Sequence, residues 1–306
     1  MNRSKICNCV LVMALTAHTA MADDLATAPV PDFKRPKTLV ATPPVNPNIA
    51  NGGTVPQGVL YTALNPTFSN KDRGLDGYRG PDTFSQAWIL KLRYGLTNSL
   101  ELNSVLSYVN LTRTDPTPAI KHLEGYGDQS LGFTYAFYNI HQRDPIALSF
   151  SAGALLPTAP EGDNHLPGNA AWGGRASVDF GKFLTPDIKL DSGLVVSGPF
   201  ERGNQDVKRG NQYQWNVQVR YLFRIFDIAI ESSLVNTASG DKRTPGGDID
   251  LNNGTTEWFV GPSMNFAIDR YDLWCGIGIF FPILQNYDSL AMAENYQLAF
   301  KIGKLW

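Results

Sequence analysis

The stretch QYQWNVQVRYLFR, residues 212–224, strongly restricts the backbone. Tyr213, Trp215, Val217, Val219, Tyr221 and Phe223 occupy alternate positions. Gln212, Gln214, Asn216, Gln218, Arg220 and Arg224 occupy the others, with Leu222 the one break. A helix would mix the two sets around its circumference; a β-strand puts them on opposite faces. The same alternation runs through FSQAWILKLRYGL (residues 84–96), SLGFTYAF (130–137) and DIKLDSGLVV (187–196).

Twelve such segments follow one another: 55–64, 83–95, 99–111, 128–140, 145–156, 172–183, 188–198, 212–224, 227–237, 255–268, 271–283 and 294–306. Their connections alternate strictly between five short and six long ones, the long ones rich in Gly, Pro, Asn and Asp. A soluble sandwich or propeller could use this many strands, but it would bury the apolar face and show the polar one. A transmembrane barrel does the reverse, and short turns on one rim with longer loops on the other are its pattern. Aromatic residues cluster at segment ends, where amphipathic rings suit the headgroup zone. The opposite face carries Lys91, Arg93, Glu101, Arg175, Asp179, Lys189, Asp191, Arg220, Glu231, Glu257 and Lys301, often deep within a strand. A dry soluble core would pay heavily in desolvation for that many charges; a polar lumen accommodates them. The reading is therefore all-β: a transmembrane antiparallel up-and-down β-barrel of about 12 strands over residues 55–306, with an even strand count leaving both termini periplasmic. LWCGIGIFFPIL (273–284) is apolar on both faces, so the side to which Cys275 points stays open. Its glycines and proline suggest a bulge or a close backbone approach.

The N-terminus, MNRSKICNCVLVMALTAHTAMADD, has Arg3 and Lys5 before the apolar run Val10–Ala17 and a small-x-small site at Ala20-Met21-Ala22. That is a secretory signal peptide, residues 1–22, with an apolar run too short to span a bilayer as a helix. Two of the 26 basic residues lie in it, so the remainder carries 24 against 28 acidic, a net charge of −4. With no basic run, nucleic acid is not an expected partner. Cys275 is the one cysteine after the leader, which rules out an intramolecular disulfide. Residues 23–54, rich in Pro, Ala and Asn, show no period. They form a periplasmic lead-in that either enters the lumen as a plug or hangs free as a tether, with Phe33, Lys34 and Arg35 its bulky and basic cluster.

Three stretches resemble a known family. YGLTNSLELNSVLSYV (94–109), GYGDQSLGFTYAF (125–137) and LSFSAGALLPTA (148–159) are similar to the outer-membrane family known as "MetA-pathway of phenol degradation", or simply as transporters. That family shows a YGLTDxLELG turn, a GxGDxxLGxKY strand start and an LPTG strand end. Tyr94 to Thr97, Leu100 to Leu102, Gly125, Gly127, Asp128, Leu131, Gly132, Tyr135 and Leu156 to Thr158 match; Asn98, Asn103 and Ala159 depart. The resemblance covers roughly residues 80–306 and rests on turn chemistry. It implies a barrel of the Gram-negative outer membrane that passes small molecules, with aromatic compounds suggested by the family's name.

The charged positions above are the pore-lining candidates. Six are basic and five acidic, a balance that argues against strong ion selectivity. Twelve strands lie between a side-chain-filled barrel and an open porin. A narrow channel for small, neutral or weakly charged solutes fits this; the alternative is that the charges pair and merely stiffen a closed barrel. Trp215, Tyr221, Trp258, Phe300 and Trp306 are the expected interface and assembly residues. Trp306, after the strand pattern YQLAFKIGKLW, resembles the C-terminal aromatic signal read by the barrel-assembly machinery, which with membrane lipid and lipopolysaccharide completes the expected partners. Lys304 departs from that signal.

Two rival classes compete with the channel. An outer-membrane lipid-modifying enzyme needs a nucleophile beside a base, but His122, His141 and His165 fall in loops or turns, so no enzyme is expected. A structural or surface-display barrel would need elaborate loops, and these are moderate and free of repeats. Asp248, Asp250 and Asn252 begin like a calcium loop, yet the sixth and twelfth positions are Asn253 and Phe259 where Gly and Glu are required. No metal or cofactor is expected.

Overall fold

The structure is a computed structural model that describes residues 45, 53–74, 82–114, 122–140, 144–159, 168, 170–223, 225–251, 253–287 and 292–306. The expected leader, residues 1–22, most of residues 23–54 including Phe33, Lys34 and Arg35, and also His141 and His165 lie outside the described residues.

Among the described residues there are sixteen strands: β1 (Leu60–Gly74), β2 (Asp82–Gly95), β3 (Leu100–Thr114), β4 (His122–Tyr126), β5 (Gln129–Tyr138), β6 (Ile146–Leu156), β7 (Gly173–Phe183), β8 (Ile188–Pro199), β9 (Val207–Lys208), β10 (Gln212–Leu222), β11 (Phe226–Thr237), β12 (Asp241–Thr244), β13 (Gly247–Asp250), β14 (Thr255–Ile268), β15 (Leu273–Tyr287) and β16 (Met292–Leu305). Thirteen form one antiparallel sheet. β4 and β5 pair with successive parts of β3 and act as one stave, so the sheet has twelve staves. It closes on itself where β1 pairs with β16 from Tyr61↔Leu305 to Gly74↔Met292. Closure leaves no unpaired sheet edge, which is what a sheet in lipid requires.

The outer wall is apolar. Trp88, Leu131, Phe133, Val178, Val219, Ile228, Ile230, Ile277 and Ile302 all point outward and are exposed. The interior encloses many side chains of the opposite kind, with Asp191, Arg220, Asp227 and Glu231 at 0% exposure. A soluble fold would exchange these two sets. Cys275 pairs with Phe266 and Ile302, which places it on the outward face.

Five turns and both ends of the barrel chain share one rim, the short-turn rim; the other six connections share the opposite, long-loop rim. β15 and β16 extend so far that only residues 288–291 separate them, which corrects the expected long stretch 284–293. Local sequence sets the turns. In Leu96–Leu100, Thr97 Oγ1 accepts from the N–H groups of Ser99 (3.2 Å) and Leu100 (2.9 Å). Thr185 does the same for Asp187 (3.3 Å) and Ile188 (3.1 Å). Both are hydroxyl-stabilised turns that free the backbone to reverse. The GYGD motif is also local chemistry. A Cβ on Gly127 would stand 2.3 Å from Ser107 Oγ, so glycine lets the stave lie close against β3 there without displacing that hydroxyl. Asp128 Oδ1 then accepts from Ala159 N (3.2 Å) and Ala170 N (3.1 Å), and Thr158 Oγ1 accepts from Gln129 N (2.9 Å), which tie the bend to the β6–β7 connection.

Strand β1 corrects the expected boundaries. It begins at Leu60 and runs to Gly74, ten residues past the expected end at 64. Asn65, Pro66, Asn70 and Asp72 read as loop formers, yet Asn65 and Ser69 turn into the lumen and are buried. Phe68 packs outward against Phe84, Trp88 and Phe300. The proline is tolerated because the β1–β16 ladder steps from Leu64↔Ile302 to Thr67↔Ala299, leaving Pro66 where no N–H is used. The connections 200–211 and 238–254 are likewise not simple loops. β9, β12 and β13 pair into a small second sheet at the long-loop rim. Arg202 holds it by bridging to Asp241 and to Asp248 (2.8 Å). Asp248 and Asp250, the calcium-like positions, are exposed strand residues there.

Candidate transport lumen

The lumen divides lengthwise into two unlike halves. On β10 every inward residue is buried: Gln214, Asn216, Gln218, Arg220 and Leu222. Register brings the charges of neighbouring staves beside them, with Arg220 opposite Lys189 and Gln218 opposite both Asp191 and Glu231. Lys189 Nζ stands 2.7 Å from Asp191 Oδ1. Arg220 reaches Asp227 (3.6 Å) and Asp191 (3.9 Å) and donates to Gln218 Oε1 (2.8 Å). Gln218 donates on to Glu231 Oε1 (3.0 Å), and Asn265 Nδ2 donates to Asp227 (2.9 Å). Lys301, buried, feels the charges of Arg220, Glu231 and Asp227. Three cations thus face three carboxylates. The pairing offsets the desolvation that each charge alone would suffer.

The half built by β2, β3, β5 and β6 is less tightly filled, and Arg175 of β7 borders it. Asn103, Val105 and Ser107 of β3 and Ser151 of β6 face inward and are only half buried; Lys91 is half buried and Arg175 exposed. Asn103 Nδ2 donates to Thr134 Oγ1 (3.0 Å), which shares a hydrogen bond with Ser151 Oγ (2.8 Å), a polar rung across three staves. Asp179, buried and bonded by Ser177 Oγ (2.8 Å), lies at the seam between the halves and feels Arg175, Arg93 and Asp191.

Aromatic and aliphatic groups narrow the lumen near the short-turn rim. Trp274, at 0% exposure, stacks on Tyr61 with ring centroids 5.2 Å apart, and Val55 and Ala63 pack with them. Ile140, Ala147, Phe183 and Leu222 form a matching cluster across the floor. A Cβ on Gly303 would lie 2.7 Å from the Trp274 ring, so the ring needs that glycine. Beside it, Arg93 and Glu101 make a double contact of 2.7 and 2.9 Å. They also hold the chain that leads into the barrel: Arg93 Nη2 donates to Gly53 O (2.5 Å) and Glu101 Oε2 accepts from Val55 N (2.9 Å). Val45, also from the lead-in, stands inside the lumen. Its N–H donates to Glu231 Oε1 (2.9 Å), and its side chain packs with Phe259, Phe280 and Ala299.

The eleven expected pore-lining positions therefore divide. Lys189, Asp191, Arg220, Glu231 and Lys301 meet in the packed half; Arg93 and Glu101 clamp the lead-in; Asp179 marks the seam. Lys91 and Arg175 face the open half, and Glu257, near the long-loop rim, accepts from Tyr287 Oη (2.6 Å). Trp215, Tyr221 and Trp258 are outward and exposed near strand ends, whereas Phe300 packs outward in mid-strand on Phe68. Trp306 exchanges backbone hydrogen bonds with Leu60 (2.9 and 3.3 Å), and its Nε1 donates to Thr62 Oγ1 (3.0 Å). Lys304 Nζ lies 3.8 Å over the Trp306 ring, a cation–π contact that accounts for a lysine on the lipid face. Sequence reading misses Asp227, Trp274, Phe259, Phe280 and Glu294. Asp227 sits one residue from a turn, and the aromatics look like lipid-facing residues until register fixes their side. Glu294 pairs with Lys71 (2.9 Å) in the extension of β1, whose residues look like a loop.

Similarity to known proteins agrees with this architecture. The COG4313 outer membrane channel from Pseudomonas putida F1 superposes with a TM-score of 0.67 at 15% identity, covering 83% of this chain and 98% of that one. A TodX monoaromatic hydrocarbon channel mutant matches with a TM-score of 0.48 at 11% identity, over 84% of this chain and 91% of that one. No curated protein matches by sequence. The family model described as "Putative MetA-pathway of phenol degradation" matches residues 47–281, and the chain belongs to that family.

Proposed function

We propose that this barrel is an outer-membrane channel that passes small, neutral or weakly charged solutes, with apolar and aromatic compounds the favoured class. The observation that carries the reading is the lengthwise division of the lumen: paired charges fill one half, and a polar, half-exposed strip runs along the other. A strip lined by Asn103, Val105, Ser107 and Ser151, with Lys91 and Arg175 facing it and Asp179 at its seam, admits a narrow solute with only a modest basic bias. The family's name supports the same class, as does the likeness to a barrel described as an outer membrane channel. In this reading the leader, residues 1–22, directs export, the short-turn rim with both ends of the barrel is periplasmic, and the last strand is read by the assembly machinery. Lipid and lipopolysaccharide meet the apolar wall, and the barrel performs no catalysis.

The test is swelling of liposomes containing the protein, across benzoate, benzyl alcohol, glucose and glycine. Faster swelling with the aromatic solutes than with glucose is expected. No uptake of any solute would replace the channel by a structural barrel that displays its β9–β12–β13 sheet.

A further inference from the structure

The contact made by Val45 has the form of a bound ligand. The side chain is fully enclosed, yet the wall around it is carved by small residues rather than filled. Inward positions of β15 read Trp274, Gly276, Gly278, Phe280, and β16 supplies Ala299. A Cβ on Gly276 would stand 2.8 Å from Val45 Cγ2, and one on Gly278 would stand 2.8 Å from the Phe280 ring. Gly261 lies so close to Ile279 O that a Cβ there would overlap it at 1.8 Å. Gly276 makes the room for Val45, Gly278 lets the Phe280 ring lie over it, and Gly261 lets β14 and β15 approach closely; the apolar surfaces of the resulting recess are Phe259, Phe280 and Ala299. At its edge sits one charged acceptor, Glu231. Its Oε1 already accepts from Gln218 Nε2 (3.0 Å) and Ser263 Oγ (2.5 Å) besides Val45 N. When Val45 leaves, the carboxylate keeps two donors, so the recess persists with an acceptor ready for a third.

We propose that this recess is a solute-binding subsite for molecules carrying an apolar ring or short chain beside one hydrogen-bond donor, and that Val45 occupies it as an internal competitor. The isopropyl group stands in for the apolar part, and the backbone N–H for a phenolic or alcoholic O–H donating to Glu231. A solute without a donor loses that bond; an anionic one meets the carboxylate. The proposal rests on the channel reading and adds a place and a chemistry to it.

The test is fluorine NMR titration of the full-length protein in detergent with 4-fluorophenol, and with fluorobenzene as the ring lacking a donor. Replacing Val45→Asp, with Val45→Gly as a second variant, vacates the recess and tightens 4-fluorophenol binding by roughly tenfold, the equivalent of one displaced apolar contact. Adding Phe280→Leu, a substitution mild enough to keep the barrel folded, cancels most of that gain. The preference for 4-fluorophenol over fluorobenzene shrinks when Glu231→Gln is added. Equal affinity in the wild type and both Val45 variants, or a gain indifferent to Phe280, overturns the subsite. Failure of every solute to swell liposomes, with this binding pattern intact, refutes passage and leaves the subsite standing.

Discussion

Replacing Arg220 by methionine tests the packed half directly. Methionine fills similar volume, so the loss is one of charge and hydrogen bonding. Asp191 keeps Lys189 at 2.7 Å, but Asp227 loses its cation at 3.6 Å and retains the Asn265 amide. Breaking one side of a buried pair costs about 3–5 kcal/mol, because the remaining charge stays out of water. Both side chains are fully enclosed, so solvent screening does little to reduce this. The double variant Arg220→Met/Asp227→Asn removes the orphaned charge while keeping a polar neighbour for Asn265. Most of the loss should return, giving a coupling energy of about 2 kcal/mol, well above the additivity error of ~0.5 kcal/mol. Urea unfolding of barrels refolded into lipid vesicles, followed by gel mobility, measures each value. A loss under about 1 kcal/mol for the single variant, the size of an exposed pair, would refute the assignment of this network as dry and mutually dependent. Additive single effects would do the same for the Arg220–Asp227 pair.

Three further outcomes are expected. Deleting Trp306 removes its backbone exchange with Leu60 and its bond to Thr62; the heat-modifiable, folded fraction in the outer membrane should fall several-fold, and normal levels would count against a role in assembly. Trp274→Ala removes the ring stacked on Tyr61; it should destabilise by about 3–5 kcal/mol and raise single-channel conductance, and unchanged conductance would place the constriction elsewhere. Arg175→Glu reverses a charge on the open strip, so the reversal potential in a potassium chloride gradient should move toward cation preference; no movement would take Arg175 off the ion path.

Strand alternation and the turn residues make the barrel legible in the chain itself, because a period of two is a property of consecutive residues. What fails to show depends on residues far apart. Pro66 and Asn65 argue locally for a loop, yet unbroken pairing with β2 carries β1 through them, and the ladder to β16 resumes at Thr67. The small second sheet escapes notice because β9, β12 and β13 have two to four residues each, and the Arg202 bridges to β12 and β13 join positions about 40 residues apart. The inward face of β15 has glycines where a polar residue would have marked the lumen, so Phe280 and Cys275 look alike until register sets them on opposite sides. Candidate lumen charges are found because charge at mid-strand is conspicuous. Which of them pair, and which line a passage, follows from stave order and closure, information that no single segment contains.

The lengthwise division of the lumen also bears on how such a barrel can change over evolutionary time. Substitutions among Gln218, Arg220, Asp227 and Glu231 alter buried pairs and so fall on stability. Substitutions at Asn103, Val105, Ser107 or Ser151 leave those pairs untouched and fall on whatever passes. One wall can therefore be rewritten for a new solute while the other keeps the barrel upright, and the usual conflict between acquiring a function and remaining folded is eased by giving the two tasks to different staves.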